Sequence, residues 1–276
     1  AIVGNSGMGA LCYEPDRHFE TEEDELDLDE IARQCRDILM TDTAENLDEL
    51  FRLGGSSGGA RPKILTEIGG EDWIIKFPSS SDRDDIGKQE YDYSVCAKAC
   101  GIEMTETRLF PSKICQGYFG VRRFDRHREN DGSVKRIHML SASAILETSH
   151  SIPNLDYDIL MKLTMELSKD FSEVEKMFRL MCFNVFAHNR DDHSKNFSYL
   201  YREDEDRWIL SPAYDLTYSY SIGGEHATTV YGNGKNPGME DILAVAETVG
   251  IDQRKAKNIA EQVRECVCGQ LRQYLK

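Results

Sequence analysis

Nine consecutive polar positions, His188 to Asn196, interrupt an apolar stretch in FNVFAHNRDDHSKNFSYL (183–200). Apolar residues three and four apart over Ser172–Ala187 predict a helix that ends at this interruption, so the polar run is expected as a loop held by packed neighbours. A short acidic turn follows, and then LSPAYDLT (210–217), in which Trp208, Ile209 and Leu210 read as a strand that delivers Asp215. Asp191, with Asn196 five residues on and a later lone Asp215, is the set that ATP-dependent phosphoryl transfer needs. One carboxylate orients the acceptor hydroxyl, and an amide with a second carboxylate holds magnesium. A polar turn capped by Asp and Asn has the same composition, so the rest of the chain has to decide between them.

At 276 residues the chain is long enough to bury a large core as one domain or two lobes. Its 40% hydrophobic and 30% charged content is that of a globular protein, and no apolar run approaches the ~20 residues that span a bilayer. The eight cysteines are scattered, without CxxC pairs or zinc spacing, which implies reduced thiols and a cytoplasmic setting. Cys266 and Cys268 point to different faces of a predicted helix and read as partly buried thiols. A formal net charge of -16 argues against a chain that coats nucleic acid unaided. The acid is concentrated in ETEEDELDLDE (20–30) and in Glu203–Asp206, read as solvated faces or a flexible connection.

Along the chain, AIVGNSGMGALCYEP reads as a strand or hairpin. Helices are expected over Leu28–Leu39, Leu47–Phe51, Gln89–Cys100, Tyr157–Leu167, Ser172–Ala187, Gly238–Val249 and Asp252–Leu275. Lys63–Leu65 and Trp73–Phe77 flank Gly69-Gly70 as a β-hairpin, and Leu109–Phe124 holds two strands around Gln116-Gly117. Strands and one helix first, then mostly helices around the polar loop, is a two-lobed plan.

Three more features bear on a nucleotide. GGSSGGARPK (54–63) is a backbone-rich run in which glycines let amides approach phosphates; a Gly/Ser linker has the same look, and the frame is not that of a Walker A loop. The run leads into the hairpin that carries Lys76, a lone cation closing WIIK, placed to hold the α- and β-phosphates. Its expected ion-pair partner is Glu90, with Gln89 and Asp92 in competition. RRFD (122–125) falls where strands hand over to helices, the place of a hinge beside adenine. The order Asp-x-His-x-x-Asn over 191–196 resembles the catalytic loop of phosphatidylinositol kinases more than that of ordinary protein kinases, because Asn189 stands two before the Asp and His193 two after it.

Together GSSGGARPK, WIIKFP, QEYDYSVCAKACGI, RRFDR, RIHML, FNVFAHNRDDHSKNFSYL and LSPAYDLT resemble, in order, the HipA-like serine/threonine kinases, toxins of bacterial toxin–antitoxin systems. The resemblance implies an α+β, two-lobed protein-kinase-like and phosphatidylinositol-kinase-like fold: a β-rich N-terminal lobe over 1–125 and an all-helical C-terminal lobe over 126–276. It implies ATP and Mg²⁺ as cofactors, Asp191 as catalytic base, and Asn196 and Asp215 as metal ligands. Nucleotide contacts would come from Ser57, Gly58, Gly59, Ala60, Arg61, Lys63, Lys76, Glu90, Arg122, Arg123, Phe124, His193, Lys195, Asn196, Tyr214 and Asp215. Autophosphorylation would fall on Ser56, with Ser57 as the alternative; a dianion beside the ATP phosphates would repel them.

The implied partners are a HipB-like helix-turn-helix antitoxin that carries the DNA contacts, a translation component such as an aminoacyl-tRNA synthetase as substrate, and no membrane. HipA proteins usually begin with a small β-rich domain. Here GMGALCYEP is expected as its closing strand; some relatives encode that domain as a separate small protein, so two alternatives stay open, a natural short form with such a partner and a trimmed chain. The family's loop often has Gln where this chain has Arg61. Two rival readings stay open: a small-molecule or lipid kinase, and an inactive scaffold or corepressor in a DNA-bound complex.

Overall fold

The computed structural model describes residues 7–12, 27–41, 61–129, 131–149, 155–220 and 222–275. The chain divides into two compact units, one drawn from Ala1–Tyr91 and Thr105–His138, the other from Asp92–Met104 and Met139–Lys276. The expected boundary at 125/126 differs from this division at two places: residues 92–104 go with the second unit, and residues 126–138 stay with the first.

In the first unit, helix α1 (Leu28–Thr41) starts where Asp27 Oδ1 accepts the backbone N–H of Asp29 and Glu30, at 3.0 and 3.2 Å. Strands β1 (Lys63–Ile68) and β2 (Glu71–Lys76) form an antiparallel hairpin with Lys63 opposite Lys76. Gly69 and Gly70 both have positive φ, 62° and 82°, which is what a two-residue turn matching the strand twist demands. After helix α2 (Ile86–Ala99), strands β3 (Thr107–Phe110) and β4 (Tyr118–Arg122) complete a sheet of order β1-β2-β4-β3. Ile64, Ile75, Phe77 and Tyr118 bury themselves against Ala32 and Cys35 of α1. Gly120 is needed for a close approach, since a Cβ there would come within 2.3 Å of the Phe110 ring, which stands edge-on to Trp73. The described part of GMGALCYEP, Gly7–Cys12, is a bend and turn rather than the expected strand.

Strands β5 (Arg126–Arg128) and β6 (Val134–Arg136) make a second hairpin. At its entrance Asp125, 0% exposed, accepts from Arg123 Nε (2.9 Å) and Nη2 (2.8 Å), Arg126 Nη1 (3.0 Å) and the Gly9 amide (2.6 Å). Both guanidiniums donate onward to the carbonyls of residues 7 and 9, which pins that segment to the unit. Burial alone would raise the Asp125 pKa; hydrogen bonds and charge from Arg123, then Arg126, outweigh it and hold the carboxyl below its ordinary range.

A folded pKa depressed in this way adds stability that is present above the unfolded value of about 3.9 and is lost as pH falls through the folded value. Asp125→Asn is therefore expected to lower stability at neutral pH by about 3–5 kcal/mol, because two buried guanidiniums lose their counter-charge, and to flatten the acid limb of the stability curve. Urea unfolding between about pH 2.5 and 7 measures both. An acid limb as steep in the variant as in the parent would contradict the assignment.

The second unit contains β7 (Met139–Ser141), α3 (Ala142–Ile145), β8 (Leu155–Asp156), α4 (Tyr157–Ser168), α5 (Phe171–Phe186), β9 (Ser198–Arg202), β10 (Arg207–Leu210), β11 (Thr228–Thr229), α6 (Met239–Thr248) and α7 (Gln253–Gln270). Its core is Leu160 and Met161 of α4 against Met177, Phe178, Met181 and Phe183 of α5, continued by Ala260, Val263 and Val267 of α7. Fully burying an apolar side chain of this size is worth about 1.5–3 kcal/mol. Asp156 and Asp170 cap α4 and α5 by accepting from Asp158 N and Ser172 N.

The expectation of an all-helical C-terminal lobe is corrected here. The unit holds a three-stranded sheet, order β10-β9-β7, and a parallel pair β11-β8. The acidic turn Glu203–Asp206 is the tip of a hairpin, with Tyr199 opposite Leu210. Tyr199, fully buried, shares a hydrogen bond with Thr164 Oγ1 at 2.8 Å, so the strand is fixed by a helix distant in sequence rather than by its own pattern. Among the described residues no helix is long and apolar enough to cross a membrane.

Candidate functional site

In the first unit, β2 ends on Lys76, whose Nζ lies 2.5 Å from Glu90 Oε1 on α2. Glu90, 2% exposed, also receives Arg61 Nη1 at 3.4 Å, while Arg61 Nε reaches Asp82 Oδ2 at 3.2 Å. The Lys76 ammonium stands 5.6 Å from the centroid of the Phe119 ring, on the strand paired with β2. Of the three competing partners, Glu90 makes the pair; Asp92 instead accepts from Tyr274 Oη at 2.6 Å. A buried carboxylate thus fixes the position of this lysine, whose side chain is 13% exposed.

Lys63 faces Lys76 across the hairpin. Arg122 reaches Glu71 Oε1 at 3.3 Å on the surface, and Arg123 is committed to Asp125 and Gly7 within the fold. Phe124, half-buried, joins those arginines to Asp125. Ser56, Ser57, Gly58, Gly59 and Ala60, with the expected helix over Leu47–Phe51, lie outside the described residues.

In the second unit, α5 stops at Phe186, and Asn189 N still bonds Asn184 O at 3.0 Å, so the loop leaves the helix in a defined direction. Asp191 is exposed, its side chain 64% accessible, with Oδ1 3.9 Å from His193 Nε2. A 3₁₀ turn over Ser194–Asn196 bends the chain back, and Asn196 Nδ2 donates to the main-chain oxygen of Asp191 at 2.7 Å. Only the amide nitrogen can donate to a carbonyl, so Asn196 Oδ1 is left as the atom for a cation.

Tyr214 ties the next segment to this loop: its hydroxyl lies 2.6 Å from Lys195 O and 2.6 Å from Ser198 Oγ. Burial, and then the Asp215 charge, pushes the Tyr214 phenol far above its ordinary value, so it stays a proton donor. Asp215 follows at φ 54°, in the left-handed region that non-glycine residues seldom adopt and that recurs at functional sites. Amide oxygen and carboxylate oxygens are hard donors, the set that suits Mg²⁺.

Beneath the loop is a network that sequence reasoning missed. Asp192, 1% exposed, accepts from Tyr157 Oη (2.7 Å) and His226 Nδ1 (2.9 Å) through one oxygen, and from the amides of Ala227 (2.9 Å) and Thr228 (3.2 Å) through the other. Thr228 Oγ1 returns a bond to Asp192 O at 2.5 Å. Asn184 Nδ2 supports the Tyr157 oxygen at 2.9 Å, and Asn189 Nδ2 bonds Asn184 Oδ1 at 2.9 Å. Burial and the Asp192 charge drive the Tyr157 phenol well upward, keeping it a donor. The only signal available in the sequence was the doubled Asp191-Asp192; nothing in it pointed to His226, some 34 residues on.

Comparison with known proteins places these segments. The model of the HipA-like C-terminal domain matches residues 55–270. Two relatives from Sinorhizobium fredii (strain NBRC 101917 / NGR234) are named Putative kinase Y4dM, 24% identical over 219 residues, and Putative kinase Y4mE, 31% identical over 153 residues. The alignments cover 74% and 52% of this chain and 52% and 33% of the relatives, so the chain spans about half the length of the first. The fold is similar to a chain of the Shewanella oneidensis MR-1 toxin–antitoxin HipA, HipB and operator DNA complex, with a TM-score of 0.71 at 16% identity over 96% of this chain and 68% of that one. It is also similar to the Helicobacter pylori proinflammatory kinase CtkA, with a TM-score of 0.50 at 14% identity over 79% of this chain and 88% of that one. With most of its length matched by the one family model, the chain belongs to the HipA-like C-terminal domain family.

Proposed function

We propose that the chain is an ATP- and Mg²⁺-dependent protein serine/threonine kinase, the toxin of a toxin–antitoxin pair. The observation that carries this reading is the Tyr214 hydroxyl, 2.6 Å from Lys195 O, which couples the Asp191–Asn196 loop to the segment bearing Asp215. Two acids and an amide separated by up to 24 positions are thereby held on connected backbone. In this reading Asp191 accepts a hydrogen bond from the attacking hydroxyl and aligns it, and Asn196 Oδ1 and Asp215 hold Mg²⁺. Bound Mg²⁺ offsets charge on the phosphoryl oxygens. Lys76, fixed by Glu90, holds the α- and β-phosphates. His193, Lys195 and Tyr214 shape the loop around the nucleotide, and Arg61 and Lys63 flank the Gly-rich run, whose Ser56, or Ser57, takes the regulatory phosphate.

The HipA, HipB and operator DNA complex supports one further part of the proposal, a HipB-like antitoxin that makes the DNA contacts; the remaining part, a protein substrate among translation components, an aminoacyl-tRNA synthetase first, rests on the sequence resemblance alone. Isothermal titration of ATP with Mg²⁺, before and after phosphatase treatment, tests the nucleotide site. One ATP is expected to bind, with Lys76→Met weakening it at least about tenfold, or 1.4 kcal/mol. If neither preparation binds ATP, the scaffold reading replaces the enzyme.

A further inference from the structure

Cys96 and Cys100 sit one helical turn apart at the end of α2, and Cys266 faces them from α7. Their three Sγ atoms all lie within 4.8 Å of one another. Cys96 is 0% exposed, Cys100 5%, and Cys266 is half-buried, at the edge through which an ion would enter. Buried cysteines often serve as small apolar fillers. Cys100 Sγ lies 4.0 Å from Val263 O and Cys266 Sγ 4.0 Å from Cys96 O, weak thiol contacts that leave all three sulfurs converging on one point.

The chemistry of the cluster is specific. At a metal–sulfur distance of about 2.3 Å, three thiolates around one ion stand roughly 4 Å apart, so the observed spacing closes on an ion with small side-chain movements. All donors are soft sulfur, which selects d¹⁰ thiophilic ions over Mg²⁺ or Ca²⁺. The surroundings favour this. Gln270 Nε2 lies 3.4 Å from Cys266 Sγ, a donor able to support a ligating sulfur. The Cys100 N–H bonds Cys96 O at 2.8 Å, and Tyr274 Oη bonds Asp92 Oδ2 at 2.6 Å, so the backbone that presents the thiols is already ordered.

We propose that Cys96, Cys100 and Cys266 form a binding site for one thiophilic d¹⁰ cation, Zn²⁺ or Cu⁺, that joins α2 to α7. Uptake forms three metal–sulfur bonds and releases one proton for each thiol that was protonated, so affinity falls as pH falls. Zn²⁺ adds water as a fourth ligand through the open side at Cys266, whereas Cu⁺ is content with three sulfurs. The site stands apart from the phosphoryl-transfer reading and does not depend on it.

The test uses the full chain, reduced and stripped of metal under anaerobic conditions, titrated with Zn²⁺ and with Cu⁺ against a chromophoric chelator. One ion per chain is expected for at least one of the two metals, with affinity reduced roughly 100-fold or more in Cys266→Ser. The double variant of the exposed cysteines, Cys12→Ser with Cys268→Ser, is expected to bind as the parent does. X-ray absorption on the loaded parent chain should count three sulfur neighbours at about 2.3 Å; a fourth, lighter neighbour identifies Zn²⁺ with water, and its absence identifies Cu⁺. The proposal is overturned if the parent retains neither ion, if Cys266→Ser binds as tightly as the parent, or if fewer than three sulfurs are counted. Should Cys266→Ser fail to fold, the sulfur count on the parent decides alone.

Discussion

Asp191→Asn is expected to abolish phosphate transfer to substrate and to the chain itself while ATP binding persists. General-base and positioning effects of this kind are worth about 10²–10⁴ in rate, so labelled phosphate should drop to background at ordinary enzyme concentrations. The substitution is a clean one because of how the loop is built. Asn196 bonds the main-chain oxygen of Asp191 rather than its carboxylate, and the side chain is mostly exposed, so an isosteric amide leaves the turn intact. Incorporation of label from γ-labelled ATP and isothermal titration read the two halves of the prediction. Label appearing on the variant at the parent's rate would remove Asp191 from the role. Comparing phosphopeptides from cells briefly expressing parent or variant would then identify the substrate.

The neighbouring residue should behave in the opposite way. Asp192→Ala is expected to cost about 3–5 kcal/mol of stability, the range for removing one partner from a buried charged network. The Tyr157 hydroxyl, the His226 ring and two backbone amides would lose their acceptor, and orphaned buried donors cost about 1–3 kcal/mol apiece before relaxation. For a protein of this size that is a fall in Tm of roughly 10 °C. Asp191→Asn, an exposed change, should stay within about 0.5 kcal/mol. Thermal or urea unfolding of the two variants side by side is decisive: equal shifts would mean that the buried network does not anchor the loop.

These two aspartates also show where reading a sequence stops. Their doublet is visible in the primary structure, but which one faces solvent depends on Tyr157 and His226, contributed by α4 and by the chain just before β11. The competition among Gln89, Glu90 and Asp92 for Lys76 was likewise open until the helix was oriented; Tyr274 then claims Asp92 and leaves Glu90 to the lysine. The place of RRFD beside a hinge is an expectation from its position in the chain, while the internal ion pair of Arg123 and Asp125, which holds residues 7–9, is visible only in the folded structure. Helices with clear three-four spacing, such as α4 and α5, were legible almost to the residue, as was the Gly69-Gly70 hairpin. The sheet β10-β9-β7 was not, because Ser198–Arg202 is too short and too mixed to display a period of its own.

The order of the segments, the helical periods and the chemical identity of Lys76, Asp191, Asn196 and Asp215 were set by the amino-acid sequence, because those properties are local. Which acid is buried, which carboxylate meets which cation, and the meeting of Cys96, Cys100 and Cys266 across 170 positions were decided only in the tertiary structure. Burial and pairing depend on neighbours brought in from elsewhere in the chain, and a one-dimensional pattern does not encode the distances between them.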